Sequence, residues 1–325
     1  MANPPARKMI LVAGMHRSGT SALTRVLSLL GCDLPAHLIP PQPTNPRGLW
    51  ESEIVTALDD EILESCGTRW DDWRAIERGW FGSESAGRFR ARAVDILAAE
   101  YGAFSLGLLK DPRICRLLPF WLDAVRARGA EPAIVLPLRH PLEVCRSLAR
   151  RDGLDSSQAR VMWLRYTLDA ELHSRALPRV FTTYEGLLED WRSVADSIAS
   201  RLALAWPRSG DDARADIEAF LSPRLRHQRV SERALTEDAE RGGWIEEAYR
   251  ALLRLVGDPA DAQATAALDG VRERFDAAAR LFGPACALRP SPARGLSLWR
   301  RAADKLAGFL LRRPRTGLRA RPRRG

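Results

Sequence analysis

Lysine is almost missing from this 325-residue chain: of its 50 basic residues only Lys8, Lys110 and Lys305 are lysines, and the rest are arginines. Long apolar runs are missing too. No stretch approaches the ~20 apolar residues of a membrane-spanning helix. The run behind the Pro-rich first residues, Met9–Ala13, is too short for the core of a secretory signal. Both absences predict a cytosolic protein. The five cysteines (Cys32, Cys66, Cys115, Cys145, Cys286) are odd in number and never form a CxxC pair. A disulfide framework and a cysteine-held zinc are therefore excluded, and reduced thiols are expected. Acidic residues are missing from Arg312 onward, where there are seven arginines. The net charge of +9 thus falls to +2, nine less seven, for the remainder. The basic balance is largely a property of this tail and says little about the partner of the core. What the chain does have is a hydrophobic fraction of 46%, enough to fill a core and to exclude a wholly disordered chain.

Apolar patterning alternates between strand and helix. Met9–Ala13, Leu106–Leu109, Ala133–Leu138 and Val180–Thr183 read as short buried strands. Helical patterns fill the intervals at Ser21–Leu30, Trp50–Cys66, Glu84–Tyr101, Ile114–Arg128, Ser157–Arg175 and Glu185–Leu202, and everything from about residue 210 reads as helical or irregular. A proline-rich stretch over 35–48 interrupts them as a loop. The alternation predicts an α/β fold of P-loop-like, three-layer type, with a central parallel sheet of four to five strands and helices on both faces. In such sheets ligands sit beyond the carboxyl ends of the strands. Arg17, Lys110 and Arg139 each stand just past a strand end.

The segment Gly14-Met15-His16-Arg17-Ser18-Gly19-Thr20-Ser21 lies between a strand and a helix, where backbone N–H groups can be aimed at a phosphate. Gly14 and Gly19 have the spacing of a Walker A loop, but Thr20 stands where that loop needs its lysine. The third strand, Ala133–Leu138, also lacks a terminal aspartate to hold Mg²⁺. What remains is a phosphate cradle with one cation, Arg17, inside it.

Arg17-Ser18-Gly19-Thr20-Ser21 after a strand resembles the 5′-phosphosulfate loop of sulfotransferases that use PAPS (3′-phosphoadenosine 5′-phosphosulfate). Arg139-His140-Pro141, with Ser147 eight residues after the arginine, is similar to the motif with which that family binds the 3′-phosphate. The blocks Asn45–Glu51, Lys110–Arg113 and Tyr184–Leu188 resemble those of bacterial carbohydrate-type members, and the likeness spans roughly residues 9–230. The resemblance implies PAPS as co-substrate and no metal. It implies cofactor binding by His16, Arg17, Ser18, Gly19, Thr20, Ser21, Arg139 and Ser147. It further implies a glutamate base beyond the phosphate loop, which Glu51 matches in position, with Glu53 as the other choice. The histidine base of the small-molecule members has no counterpart, since Lys110-Asp111-Pro112 stands there. Arg17 and Lys110 are expected to stabilise the departing phosphate, with Lys110 pairing to Asp111 or Glu51 as the competing reading. His16 is open between loop packing and a hydrogen bond to substrate. Arg224, Arg226, His227 and Arg229 form a basic cluster that is either a solvated face or a cover for the 3′-phosphate. The acceptor is expected to bear a hydroxyl, with a glycan or glycolipid suited to the glutamate-type site and to Trp50, Trp70, Trp73 and Trp80; these tryptophans otherwise read as packing.

Two other classes stay open. One is an atypical nucleotide phosphotransferase. The other is a noncatalytic protein of the same fold that associates with membrane or nucleic acid. The second rests on residues 286–325, read as a segment distinct from the 1–285 domain. There Trp299, Ala302, Leu306, Phe309 and Leu310 recur at helical spacing opposite basic residues, ahead of the arginine tail. That pattern fits a peripheral anchor at the inner membrane surface, a docking helix with a free tail, or nonspecific nucleic-acid affinity; no specific nucleic-acid partner is expected.

Overall fold

The computed structural model describes residues 7–221 and 239–282, with Leu235 between them. Met9, Ile10, Leu11 and Val12 are wholly buried. A segment apolar on both faces of its pleat needs a sheet covered on both sides. These residues form most of β1 (Lys8–Val12). With β2 (Leu106–Leu109), β3 (Glu131–Leu138) and β4 (Arg179–Thr183), β1 makes a four-stranded sheet of order β2-β1-β3-β4. All neighbours are parallel; Leu11 pairs with Leu109, Val12 with Val135 and Leu138 with Thr183. The chain runs outward from β1 to β2 and then returns to the far side of β1. Strand order therefore reverses between β1 and β3, the place where open parallel sheets receive ligands.

One face of the sheet, carrying Ile10, Val12, Leu108, Val135 and Val180, is covered by α1 (Thr20–Leu29), α7 (Tyr184–Glu189), α8 (Trp191–Arg201) and α9 (Gly210–Phe220). Alternation sends Leu11, Ile134 and Leu136 to the other face, where α4 (Ile114–Ala127) and α6 (Ser156–Ser174) pack on β3. Outside them, α2 (Glu53–Ser65) packs on α3 (Glu84–Tyr101), α3 on α4, and α5 (Pro141–Asp152) on α6. At the β4 edge α10 (Ala239–Gly257) packs on the strand and pairs with α11 (Ala262–Phe282). The result is the helix–sheet–helix arrangement expected from the sequence. Among the described residues no helix is long and apolar enough to cross a membrane. The basic cluster at Arg224–Arg229, the segment 286–325 and Cys286 lie outside the described residues.

Two helix assignments need correction. The pattern over Glu185–Leu202 is two helices, α7 and α8, because Asp190 adopts a non-helical backbone (φ −146°, ψ 80°) and its carboxylate accepts the Ser193 N–H at 3.1 Å. A local side-chain acceptor thus replaces the helical ladder and starts a new helix. α2 begins at Glu53 rather than Trp50: Trp50 has φ +60°, and Ser52 caps the helix by accepting the Val55 N–H at 3.1 Å.

Gly19 and Gly67 both have left-handed backbones, with φ of +84° and +67°. A Cβ at Gly19 would collide with the Tyr184 ring, whereas one at Gly67 meets nothing within 4 Å. Gly67→Ala is therefore expected to cost roughly 1 kcal/mol, the left-handed penalty alone. Gly19→Ala should cost about 1–3 kcal/mol beyond that, from overpacking. Urea unfolding of the two variants measures the difference; equal losses would show that the Tyr184 contact does not constrain the loop.

Candidate functional site

The loop from β1 to α1 is fixed by close approach. A Cβ on Gly14 would lie 2.7 Å from Pro137 of β3 and 2.7 Å from the Thr20 methyl, so only glycine lets β1 turn there against the neighbouring strand. Ser18 and Thr20 are buried within the loop, whose turn is closed by the Ser18 N–H donating to the Met15 carbonyl at 3.1 Å. Gly19 is the N-cap of α1, and no side chain caps the helix. The first-turn N–H groups and the positive end of the helix dipole are thus left for another partner.

Arg17, within this loop, has φ +68°. Its Nε donates to the Ser147 hydroxyl of α5 at 2.8 Å. Arg139, just past β3, donates from Nη1 to the Arg17 carbonyl at 3.1 Å and from Nε to Glu143 at 2.9 Å, and its guanidinium lies 4.8 Å over the Tyr184 ring. Two blocks more than a hundred residues apart in sequence therefore meet around Arg17.

The charges are unevenly matched. Arg139 pairs with Glu143, Lys110 with Glu51, Arg113 with Asp60 and Asp111, and Arg151 with Asp152. Among the described residues Arg17 alone of these cations forms no ion pair. Burial, and then the positive charges of Arg151 and Arg139, push its pKa down to about 10. It remains a cation at neutral pH, in surroundings that favour the arrival of an anion.

Lys110, past β2, is buried and satisfied. Its ammonium donates to the Leu49 carbonyl at 2.9 Å, to the Ser21 hydroxyl at 3.3 Å and to the Glu51 carboxylate, three acceptors for three N–H groups. Of the two pairings open from sequence, Glu51 is the one formed. Glu51 and Glu53, the two glutamates weighed as base, stand in different places. Glu53 is the first residue of α2, beside the helix dipole, whereas Glu51 precedes the cap and faces Lys110. Burial raises the Glu51 carboxyl above its ordinary value, and the Lys110 charge opposes the rise. The segment is held on both sides. The Ile39 N–H donates to the Glu51 carbonyl at 2.8 Å, and the buried Glu100 of α3 accepts from the Ser52 hydroxyl at 2.7 Å and contacts the His37 ring at 2.5 Å.

His16 is buried edge-on to Trp70 and Tyr166, with ring centroids 5.3 and 5.4 Å away. Its Nε2 has no hydrogen-bond partner among the described residues. Of the four tryptophans expected to flank an acceptor, Trp70 touches a loop residue. Trp50 lies under Arg25 at 4.5 Å, Trp73 packs on Phe275, and Trp80 sits among Phe81, Phe89 and Phe120. Sequence reasoning missed Glu143 and Tyr184 as supports of Arg139. Glu143 was within reach, four residues on and one helical turn away. Tyr184 was not, because β4 brings it there. Among the described residues no group of His, Cys, Asp or Glu side chains is placed to hold a metal ion.

No family model matches the chain, and no curated protein does. Solved structures do. Sulfotransferase STF1 from Mycobacterium tuberculosis H37Rv is 17% identical over 72% of this chain and 77% of its own, with a TM-score of 0.39. The sulfotransferase domain of the Synechococcus PCC 7002 olefin synthase is 16% identical over 94% and 96%, at 0.38. The sulfotransferase domain from the curacin biosynthetic pathway is 14% identical over 94% and 99%, at 0.36. All three are sulfotransferases.

Burial, followed by Arg151, Arg113 and Lys110, holds the His16 imidazole well below its ordinary pKa of 6.5. The unfolded chain takes up this proton near 6.5 while the folded chain refuses it. The stability due to neutral His16 is therefore full above that pH and is lost as pH falls. Urea unfolding between about pH 7.5 and 5 should show a shallower acid-side loss for His16→Gln than for the parent; equal slopes would contradict a buried, neutral imidazole.

Proposed function

We propose that this protein is a PAPS-dependent sulfotransferase acting on the hydroxyl of a glycan or glycolipid. The observation that carries the reading is Arg17: a half-buried guanidinium without a carboxylate partner among the described residues, beside an uncapped helix N-terminus, linked by hydrogen bonds to Arg139 and Ser147. An anion in the loop would face the N–H groups of the first turn of α1 and the free edge of Arg17. A second phosphate on the same nucleotide would be met by Arg139 and Ser147. Among the described residues no other protein atom takes the remaining N–H groups of Arg139, so its fork can still engage a phosphate.

PAPS supplies the sulfuryl group together with a phosphate leaving group. Glu51 takes the proton of the acceptor hydroxyl on Oε2, since Lys110 engages Oε1. The raised pKa of Glu51 suits a base working near neutrality. As the acceptor oxygen bonds to sulfur, the sulfur–oxygen bond to the 5′-phosphate breaks and the electron pair stays on that phosphate. Arg17 and the helix N-terminus stabilise the charge that develops there. Lys110 keeps Glu51 in place and adds positive charge at the same strand-end edge. The half-buried Trp70 ring offers an aromatic face for a sugar.

Arg139→Ala should weaken adenosine 3′,5′-bisphosphate by about 10- to 100-fold, the worth of a charge-assisted pair, and leave AMP unchanged in titration calorimetry. Glu51→Gln should keep bisphosphate affinity and lose release of the bisphosphate from PAPS in the presence of acceptor. The acid limb of the parent's rate profile should lie above the ordinary carboxylate range, because the base must be ionised and its pKa is raised. Equal losses of AMP and bisphosphate on Arg139→Ala, or normal turnover by Glu51→Gln, would remove those assignments.

A further inference from the structure

The proline-rich loop before Glu51 does more than connect β1–α1 to α2. Its tip is a tight turn: the Asn45 N–H donates to the Gln42 carbonyl at 2.8 Å, the Gln42 N–H returns to the Asn45 carbonyl at 3.3 Å, and the Gly48 N–H donates to the same carbonyl at 3.1 Å. These bonds use only main-chain atoms. They leave the Asn45 side chain to cross to the first turn of α1, where its Nδ2 donates to the Ser21 hydroxyl oxygen at 3.3 Å. The Lys110 ammonium donates to the same oxygen at 3.3 Å.

A hydroxyl has two lone pairs and one proton. An ammonium and an amide nitrogen can only donate, so both lone pairs of Ser21 are taken. Its proton can go to neither of these neighbours, and no described protein atom accepts it. Lys110 is the complementary case, because Ser21, Leu49 and Glu51 use all three of its N–H groups. At this corner of the loop the uncommitted donor is therefore the Ser21 hydroxyl rather than the lysine. Ser21 stands in the first turn of α1, where no side chain caps the helix N–H groups.

We infer that Asn45 is a positioning residue of the anion site: with Lys110 it turns the Ser21 hydroxyl so that its proton points to the bound phosphate. It acts through Ser21 and touches neither the phosphate nor the reacting atoms. The inference rests on the nucleotide reading given above and extends the site to a loop that carries none of its charge.

Adenosine 3′,5′-bisphosphate is titrated into the full chain and into Asn45→Ala, Ser21→Ala and the double variant. Asn45→Ala keeps the main-chain bonds of the turn, and a thermal melt of each protein without ligand checks that the fold is intact. Asn45→Ala is expected to weaken the bisphosphate by about three- to tenfold, the scale of one hydrogen bond. Ser21→Ala should weaken it at least as much, and the double variant no more than Ser21→Ala alone, since a residue acting through Ser21 has nothing to orient once the hydroxyl is gone. Additive losses would show that Asn45 acts independently of Ser21 and would overturn the inference. Unchanged or tighter binding by Asn45→Ala would overturn it as well, because it would mean that the amide oxygen faces Ser21 and consumes its proton. If the parent chain does not bind the bisphosphate, the nucleotide reading falls and this inference with it. If the parent binds and the cycle fails, only the role of Asn45 is lost.

Discussion

Four parallel strands end at one edge, and that edge gathers more positive charge, part of it only half-buried, than it neutralises. Taking a guanidinium out of water costs several kcal/mol unless geometry and partners compensate. Arg139 and Lys110 are compensated by Glu143 and Glu51, each in hydrogen-bonded contact. Arg17 is not. It is retained in a left-handed backbone, beside a helix terminus that is itself electropositive, with only a serine hydroxyl on its Nε. Strain, an uncapped helix and an unpaired cation at one place are each unfavourable for an empty loop. Together they are what an anion would relieve.

The lysine scarcity gains a physical meaning from this geometry. A guanidinium is a planar fork suited to two parallel bonds, as Arg113 makes to Asp60. Lys110 sits where three acceptors lie around a point: a carbonyl, a hydroxyl and a carboxylate. A compact, rotatable ammonium meets that demand and a flat fork does not. The lysine, at the end of β2, thereby joins α1 to the segment before α2, on which the candidate base is carried.

Much of this was legible in the sequence, because the governing signals are local. Burial on both faces makes β1, β2 and most of β3 read as apolar runs, and Leu106–Leu109 and Glu84–Tyr101 coincide with the observed elements. The positions of Arg17, Lys110 and Arg139 after strand ends follow from the same pattern. The illegible parts depend on contacts between distant segments. Asp190 splits a continuous helical pattern with one side-chain bond. Tyr184 reaches both Gly19 and Arg139 only because β4 lies beside β3. That α2 starts at Glu53, leaving Glu51 outside the helix, was readable from Ser52, a good cap. Nothing local marks Asn45, whose side chain matters through a helix 24 residues earlier in the chain.

The central claim is that the strand-end edge is built for a nucleotide carrying a 3′-phosphate rather than for a metal-bound triphosphate. Thermal unfolding of the chain with adenosine 3′,5′-bisphosphate, beside ADP and Mg·ATP, tests it most directly. A ligand at a hundred times its Kd stabilises the folded state by about 2.7 kcal/mol, which is a shift of a few degrees for a protein of this size. The account predicts that shift with the bisphosphate and none with Mg·ATP. A shift with Mg·ATP alone would make the site that of a phosphotransferase and contradict the roles given to Arg139 and Ser147.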